Sequence, residues 1–347
     1  MKKHYPNWTI RWSLFRMIFK KNSKIAVGAE IAIEQGKAKA NLDVFSTTLQ
    51  ELAQHDRNIV VVTSDSRGSG KLGPFGQKFP AQHIEVGIAE QNLVGVAAGL
   101  ASAGKKVFAV SPACFLTARA LEQIKNDVAY SDNPVKVIGI SAGVSYGALG
   151  STHHSLHDYA ALRAINNIIV AAPADNFEAE QAIKMAAAIN QPIYLRFGKK
   201  VMQPLKEVSD DVFAFGKGRI ITEGNDAAII ATGETVYPAI QAARELKKQN
   251  IAATVISMHT IKPLDTALLK MVAQKCKAII TVEEHSIYGG LGEACASYLL
   301  QNGISKPFKI IGIPDEYTVT GSQQDIFNHY GINEKGIADV ALSLLNK

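Results

Sequence analysis

The sequence predicts an α/β protein built from two doubly wound domains. Three observations carry that prediction: short apolar runs recur along the chain, helix-like segments fall between them, and the alternation breaks once and then resumes. The runs cover residues 59–63, 106–110, 135–140, 168–172 and 192–197, then 227–231, 253–257, 278–282 and 308–312. The segments at 43–53, 90–103, 116–130, 176–189, 238–249 and 266–274 read as helices, and another helix begins near Gly290. Residues 90–103 are small and apolar, which suits a helix lying close against a sheet. Around 198–217 the pattern dissolves into Lys, Pro, Asp and Gly, a linker composition. The expected organisation is a basic N-terminal extension at 1–36, a first domain at 37–200, a linker at 201–217 and a second domain at 218–347.

Bulk composition narrows the function classes. At 347 residues, 47% hydrophobic and 20% charged, the chain is long enough for two cores of ordinary size. No apolar run approaches the ~20 residues that span a bilayer, so a membrane-spanning reading is set aside. The formal charge of +6 is unevenly spread: Lys2, Lys3, Arg11, Arg16, Lys20, Lys21 and Lys24 fall in the first 24 residues, which hold no Asp or Glu. The remaining 30 basic residues face 31 acidic ones. A near-neutral body argues against nucleic acid as the partner. In the tail, residues 8–19 mix apolar side chains with Arg and the basic cluster follows them, the reverse of a secretory signal. It reads as an extension to the fold, or as a weak membrane-surface or partner-docking segment. Cys114, Cys276 and Cys295 are few and widely spaced, with neither a disulfide nor a zinc pattern, and point to a reducing cytoplasm.

Three motifs are rich enough to carry chemistry. In the first, residues 83–92, Glu85 and Glu90 stand at the start of the Gly/Ala-rich helix. A carboxylate there complements the helix dipole, or it is a buried acid that exchanges a proton with a heterocyclic nitrogen. The second, residues 143–158, follows a predicted strand and contains His153, His154 and His157. Without an HExxH pattern or a second cluster of ligands, zinc is the weakest reading. Surface or capping roles and the handling of substrate hydroxyls both remain open. Third, Phe115 lies just past the 106–110 strand, where a ring is either core or a platform for a flat heterocycle. Glu283, Glu284 and His285, before a glycine-rich turn, read as structural.

Taken in order, these motifs resemble those of transketolases, deoxyxylulose-phosphate synthases and the beta subunits of 2-oxo acid dehydrogenases. The resemblance covers roughly residues 40–345. It is carried by Glu85-Val-Gly-Ile-Ala-Glu-Gln91, Gly150-Ser-Thr-His-His154, Pro192-Ile-Tyr-Leu-Arg196 and Val282-Glu-Glu-His-Ser-Ile-Tyr-Gly-Gly-Leu-Gly292. It implies a parallel-sheet pyrimidine-binding domain followed by a transketolase C-terminal domain with a mixed sheet. The implied activity moves a two-carbon ketol unit from a ketose phosphate to an aldose phosphate, using thiamine diphosphate. Glu90 matches the glutamate that hydrogen-bonds the aminopyrimidine ring, Phe115 an aromatic stacked on that ring, and Asp65 an acid near the thiazolium. His153 matches a histidine that contacts the reacting hydroxyls. Ser69 and Arg196 match residues that hold the sugar phosphate, a role suited to a planar guanidinium fork. Arg119 has no settled match and is a candidate substrate contact.

The departures from the family pattern are informative. Transketolases carry a histidine where Ser141 lies, an aspartate where Leu149 lies, and a second aromatic where Ala118 lies. These changes suit a branched or modified ketose phosphate, such as apulose phosphate, better than the ordinary pentose phosphates. The family binds the diphosphate and its magnesium with a Gly-Asp-Gly sequence on a separate domain, and this chain contains no Gly-Asp-Gly. The resemblance therefore implies a partner: an N-terminal transketolase subunit that holds the diphosphate and Mg2+ or another divalent cation, assembled two of each. Two alternatives accompany that reading, a 2-oxo acid dehydrogenase beta subunit and a non-catalytic regulatory paralogue. Residues 162–170 look closer to transketolases than to the first, and retention of Glu90 argues against the second.

Overall fold

The structure, a computed structural model, describes residues 38–205 and 213–346. The expected basic extension at 1–36 and the centre of the expected linker lie outside the described residues.

The first strand shows how the sequence dictates its sheet. Successive strand residues point to opposite faces, and here both faces are buried. Ile59 and Val61 join a cluster with Phe45, Leu49, Phe108 and Ile138, while Val60 and Val62 pack with Leu93, Val94, Ala97 and Val107. A strand apolar on both sides is what a helix-covered parallel sheet requires. This strand, β1 (Ile59–Thr63), shares a seven-stranded sheet with β2 (His83–Glu85), β3 (Lys106–Pro112), β4 (Lys136–Ile140), β5 (Ile169–Ala171) and β6 (Ile193–Arg196). The connecting helices are α1 (Asn41–His55), α2 (Gly73–Lys78), α3 (Glu90–Ser102), α4 (Ala113–Arg119), α5 (Asp158–Arg163) and α6 (Asn176–Ala188).

Among the described residues, the second sheet holds β7 (Arg219–Thr222), β8 (Ala227–Ala231), β9 (Ala253–Ser257), β11 (Ala278–Ser286) and β12 (Phe308–Ile313). Helices α7 (Val236–Lys248), α8 (Thr266–Lys275), α9 (Leu291–Gln301), α10 (Gln323–His329) and α11 (Glu334–Leu345) accompany it. Its order is β12-β11-β8-β9-β7, with β7 antiparallel to β9 and the other pairs parallel. The fold class is therefore the one expected: a mostly parallel sheet and a mixed one.

Two connections join the sheets that no sequence pattern announced. The short β10 (Thr260–Lys262), which follows β9, pairs antiparallel with β5 and completes the first sheet in the order β10-β5-β6-β4-β3-β1-β2. Phe213 and Phe215, from the expected linker, bury their rings in the cluster that contains Phe45 and Phe108.

Strand order also locates the functional mouth. From β1 the chain moves outward to β2, whereas from β3 it moves the other way, to β4. Adjacent strands whose connections diverge open a crevice beyond their carboxyl ends, where α/β sheets receive ligands. The helix expected over 116–130 is interrupted beside that crevice. α4 ends at Arg119, and the chain continues through Leu121–Gln123 into a π-helical stretch, Ile124–Tyr130.

Candidate active site

The floor of the crevice is organised by Glu85. Its carboxylate accepts from the Thr63 hydroxyl at 2.7 Å, the Asp65 N–H at 2.7 Å and the Gly87 N–H at 2.9 Å. Burial works to raise its pKa, but these three donors outweigh it and hold the acid below its usual range. Glu85 thus ties the end of β1 to the turn leading into α3. Asp65 sits exposed at that end with φ 54°, and nearby Ser69 donates its hydroxyl to the Ser66 carbonyl at 3.1 Å. The sequence marks Glu85 only as part of a motif; its three-donor role needs the β1–β2 pairing to be seen.

Glu90 opens α3 and is only 4% exposed. Both of its oxygens accept from Arg119 Nη1, at 3.0 and 3.1 Å. The Arg119 guanidinium carbon also stands 4.4 Å from the centroid of the Phe115 ring. A flat, N–H-bearing group therefore fits between a buried carboxylate and an aromatic face, because one is there. Phe115 in turn meets His153 edge to face at 5.4 Å, and His153 meets Tyr146 in the same way at 5.4 Å. Over the Tyr146 ring lies the ammonium of Lys199, 4.0 Å from the centroid, with its pKa lowered by burial. Among the described residues Lys199 makes no ion pair with an acid.

Comparison with known proteins identifies the architecture. The family model "Transketolase, pyrimidine binding domain" matches residues 37–204, and "Transketolase, C-terminal domain" matches residues 216–337. The chain is 47% identical to one subunit of the apulose-4-phosphate transketolase of Phocaeicola vulgatus, over 87% of this chain and 96% of that protein. This chain belongs to the transketolase family. It is also 38% identical to a putative transketolase C-terminal section from Methanocaldococcus jannaschii, over 87% of this chain and 95% of that one. A solved split-gene transketolase, described as an inactive beta4 tetramer, superposes with a TM-score of 0.79 at 34% identity, covering 89% of this chain and 99% of its own. Transketolase membership implies thiamine diphosphate as the cofactor. These matches do not favour a 2-oxo acid dehydrogenase beta subunit.

Within this transketolase chain the three histidines of residues 153–157 diverge rather than converge. His153 faces Phe115 and Tyr146. His154 is buried between the Thr318 hydroxyl at 2.7 Å and the Gly147 carbonyl at 3.0 Å, with its pKa lowered by burial. His157 approaches the Thr117 hydroxyl at 3.2 Å. Among the described residues no group of three or more His, Cys, Asp or Glu is placed to hold a metal ion.

Arg196 is turned inward. The resemblance implied a phosphate contact, but its side chain is 5% exposed and its donors are already committed. Nε donates to Asp158 at 2.8 Å, Nη1 to the Tyr159 hydroxyl at 3.1 Å, and Nη2 to the carbonyls of Ser155 and Glu284 at 3.1 and 2.7 Å. Its plane lies over the Tyr159 ring as well. In this chain Arg196 clamps the end of β6 to the end of β11.

The Glu283–Glu284–His285 stretch extends that clamp. Glu283 accepts from the first N–H groups of α9, Leu291 at 2.7 Å and Gly292 at 2.8 Å, and burial still pushes it up to about 7. Burial and the facing charge of Glu234 push Glu284 up to about 8, while the Gln323 amide and the Val144 N–H donate to it. Gly143, at φ 61°, leaves the room this carboxyl needs, because a Cβ there would overlap it. His285 stacks on Tyr159 at 4.8 Å, and burial pushes it down to about 4.

Proposed function

We propose that this chain is the pyrimidine-binding subunit of a split transketolase, with Glu90 and Phe115 holding the aminopyrimidine ring of thiamine diphosphate. The observation that carries the reading is the slot between that carboxylate and that ring, already occupied by a planar nitrogenous group. When bound, the cofactor supplies a carbon acid that breaks and remakes the carbon–carbon bond of a ketol. Glu90 then holds a proton between its carboxyl oxygen and a ring nitrogen, a step its burial shields from water. Phe115 stacks on the ring and fixes its plane. His153, beside Phe115, would handle substrate hydroxyls, and Asp65, exposed just past the end of β1, would face the thiazolium part of the cofactor. With Arg196 committed elsewhere, Lys199 and Ser69 are the candidates for the sugar phosphate.

A partner subunit completes the site in this reading, supplying the diphosphate and Mg2+ contacts, in an assembly of two of each in the cytoplasm. The relative named as a transketolase subunit, matched over 96% of its length, supports it, as does Ile88, 74% exposed two residues before Glu90 and suited to cover by another domain. The three cysteines are buried and free, as a reducing compartment allows. Ser141 and Leu149 depart from the usual transketolase pattern, and the relative at 47% identity is named for apulose-4-phosphate transketolase. Both support apulose 4-phosphate as the ketose donor. No described helix is long and apolar enough to cross a membrane.

The test pairs the chain with a diphosphate-binding subunit and assays apulose 4-phosphate with an aldose phosphate. Glu90→Gln should cut kcat by about 10²–10⁴-fold, the range of a lost general acid–base group, with assembly intact. Unchanged turnover would remove the mechanism. Activity on a 2-oxo acid instead would select the dehydrogenase alternative, and no activity with any pair the regulatory one.

A further inference from the structure

Arg119 stands on the two surfaces that the reading above assigns to the pyrimidine ring. Its Nη1 donates to both oxygens of Glu90, and its guanidinium covers the Phe115 face. A carboxyl and one face of a phenyl ring cannot serve two flat groups at once. Nothing else anchors this side chain. It is 52% exposed, ends α4 where the helix is interrupted, and makes no other hydrogen bond among the described residues. The Glu90 carboxylate, by contrast, is buried and would be left without a charged partner if Arg119 were absent and the slot empty, a costly state.

We propose that Arg119 is a removable plug of the pyrimidine site: it closes the Glu90–Phe115 slot in the free chain, and thiamine diphosphate enters only as its guanidinium swings out. The inference rests on the assignment of that slot to the pyrimidine ring. It also replaces the expectation of Arg119 as a substrate contact with a competitor of the cofactor. The consequence is a reduced apparent affinity, because only the unplugged fraction of molecules binds.

Two measurements test it. The first is calorimetric titration of the chain, assembled with its diphosphate-binding partner, by thiamine diphosphate at saturating Mg2+. Arg119→Met keeps a long apolar stem and removes the plane and charge. If the plug is closed in about nine molecules of ten, the variant binds about tenfold more tightly. Phe115→Ala, in the same assembly, should bind more weakly. An Arg119→Met affinity that is unchanged or weaker, beside a weakened Phe115→Ala, overturns the plug and leaves the slot assignment standing. Unchanged affinity in Phe115→Ala overturns the slot assignment and the plug with it. The second measurement needs no cofactor: phenylglyoxal labelling of Arg119 in the chain alone, read by peptide mass spectrometry. Glu90→Gln should label severalfold faster than the wild type, since the ion pair that holds the guanidinium in place is gone. Equal labelling rates would show that Glu90 does not hold the plug, and would overturn the proposal.

Discussion

Two arginine–carboxylate pairs in this chain share a chemistry and differ in nearly everything else. Arg196–Asp158 is sealed, with 5% and 0% of the two side chains exposed, and Arg196 also engages Tyr159, Ser155 and Glu284. Arg119–Glu90 joins a buried acid to a cation that is half in solvent, through a single guanidinium nitrogen. The first lies where β6 meets β11, so it is connected to both sheets and cannot move without disturbing either. The second lies at a helix end beside an open crevice, so one partner can leave while the other stays. Burial and the number of committed donors, rather than residue type, separate a clamp from a plug.

The sharpest way to break that comparison is Arg196→Met. Removing one member of a buried, hydrogen-bonded pair costs about 3–5 kcal/mol, because Asp158 remains buried without its cation, the Tyr194 hydroxyl at 2.7 Å still donating to it. The variant should unfold at markedly lower denaturant concentration, read by circular dichroism. A variant of wild-type stability with a raised KM for the sugar phosphate would return Arg196 to the phosphate role and dissolve the contrast.

A smaller effect sharpens the clamp side. In the folded chain Glu284 keeps its proton up to about 8, whereas the unfolded carboxyl ionises near 4.5. The folded state therefore holds the extra proton across that window, and this group's contribution to stability declines as pH rises through it. His285 acts in reverse: it is pushed down to about 4 from 6.5, so its contribution rises with pH between those values. Above 6.5 only the Glu284 decline persists of these two. Glu284→Gln, which mimics the protonated acid, should flatten that limb. Relative to the wild type it should gain at most about 2 kcal/mol between pH 6.5 and 8, one pKa unit being worth about 1.4 kcal/mol. Parallel stability–pH curves would show that Glu284 is ionised in the folded chain.

The sequence made the clamp's residues visible but not their purpose. Arg196 was legible as a strand-end arginine matching a phosphate-binding position, and chemistry alone makes that role sensible. What moves it inward is the approach of β11, and no local pattern reports a contact between residues 196 and 284. The three residues of β10 are likewise too few to show a strand period. By contrast, strands such as β1, β4 and β8 announced themselves because burial on both faces leaves a continuous apolar run, as in Val60-Val-Val62, whereas the half-buried β2 and β7 leave none and were missed. Glu90 and Phe115 were legible through their place after a strand and at a helix start, whereas the plug was not. Its evidence is a distance between side chains 29 positions apart.

The smallest expected effect bears on the plug side, in the thermal stability of Arg119→Met. Two terms oppose each other there. A half-exposed ion pair contributes about 0–1 kcal/mol, and losing it leaves the Glu90 carboxylate without its partner. The same loss opens the slot, so water reaches a carboxylate that Arg119 had covered and repays much of the desolvation. The Arg196 site offers no such relief, because nothing around it can open without parting the sheets. Arg119→Met should therefore melt within about 2–4 °C of the wild type, the shift that ~1 kcal/mol produces in a domain of 150–250 residues. Melting lowered as far as in Arg196→Met would mean that the Glu90 pair, too, is part of the framework, and an arginine the fold cannot release is not one a cofactor can displace.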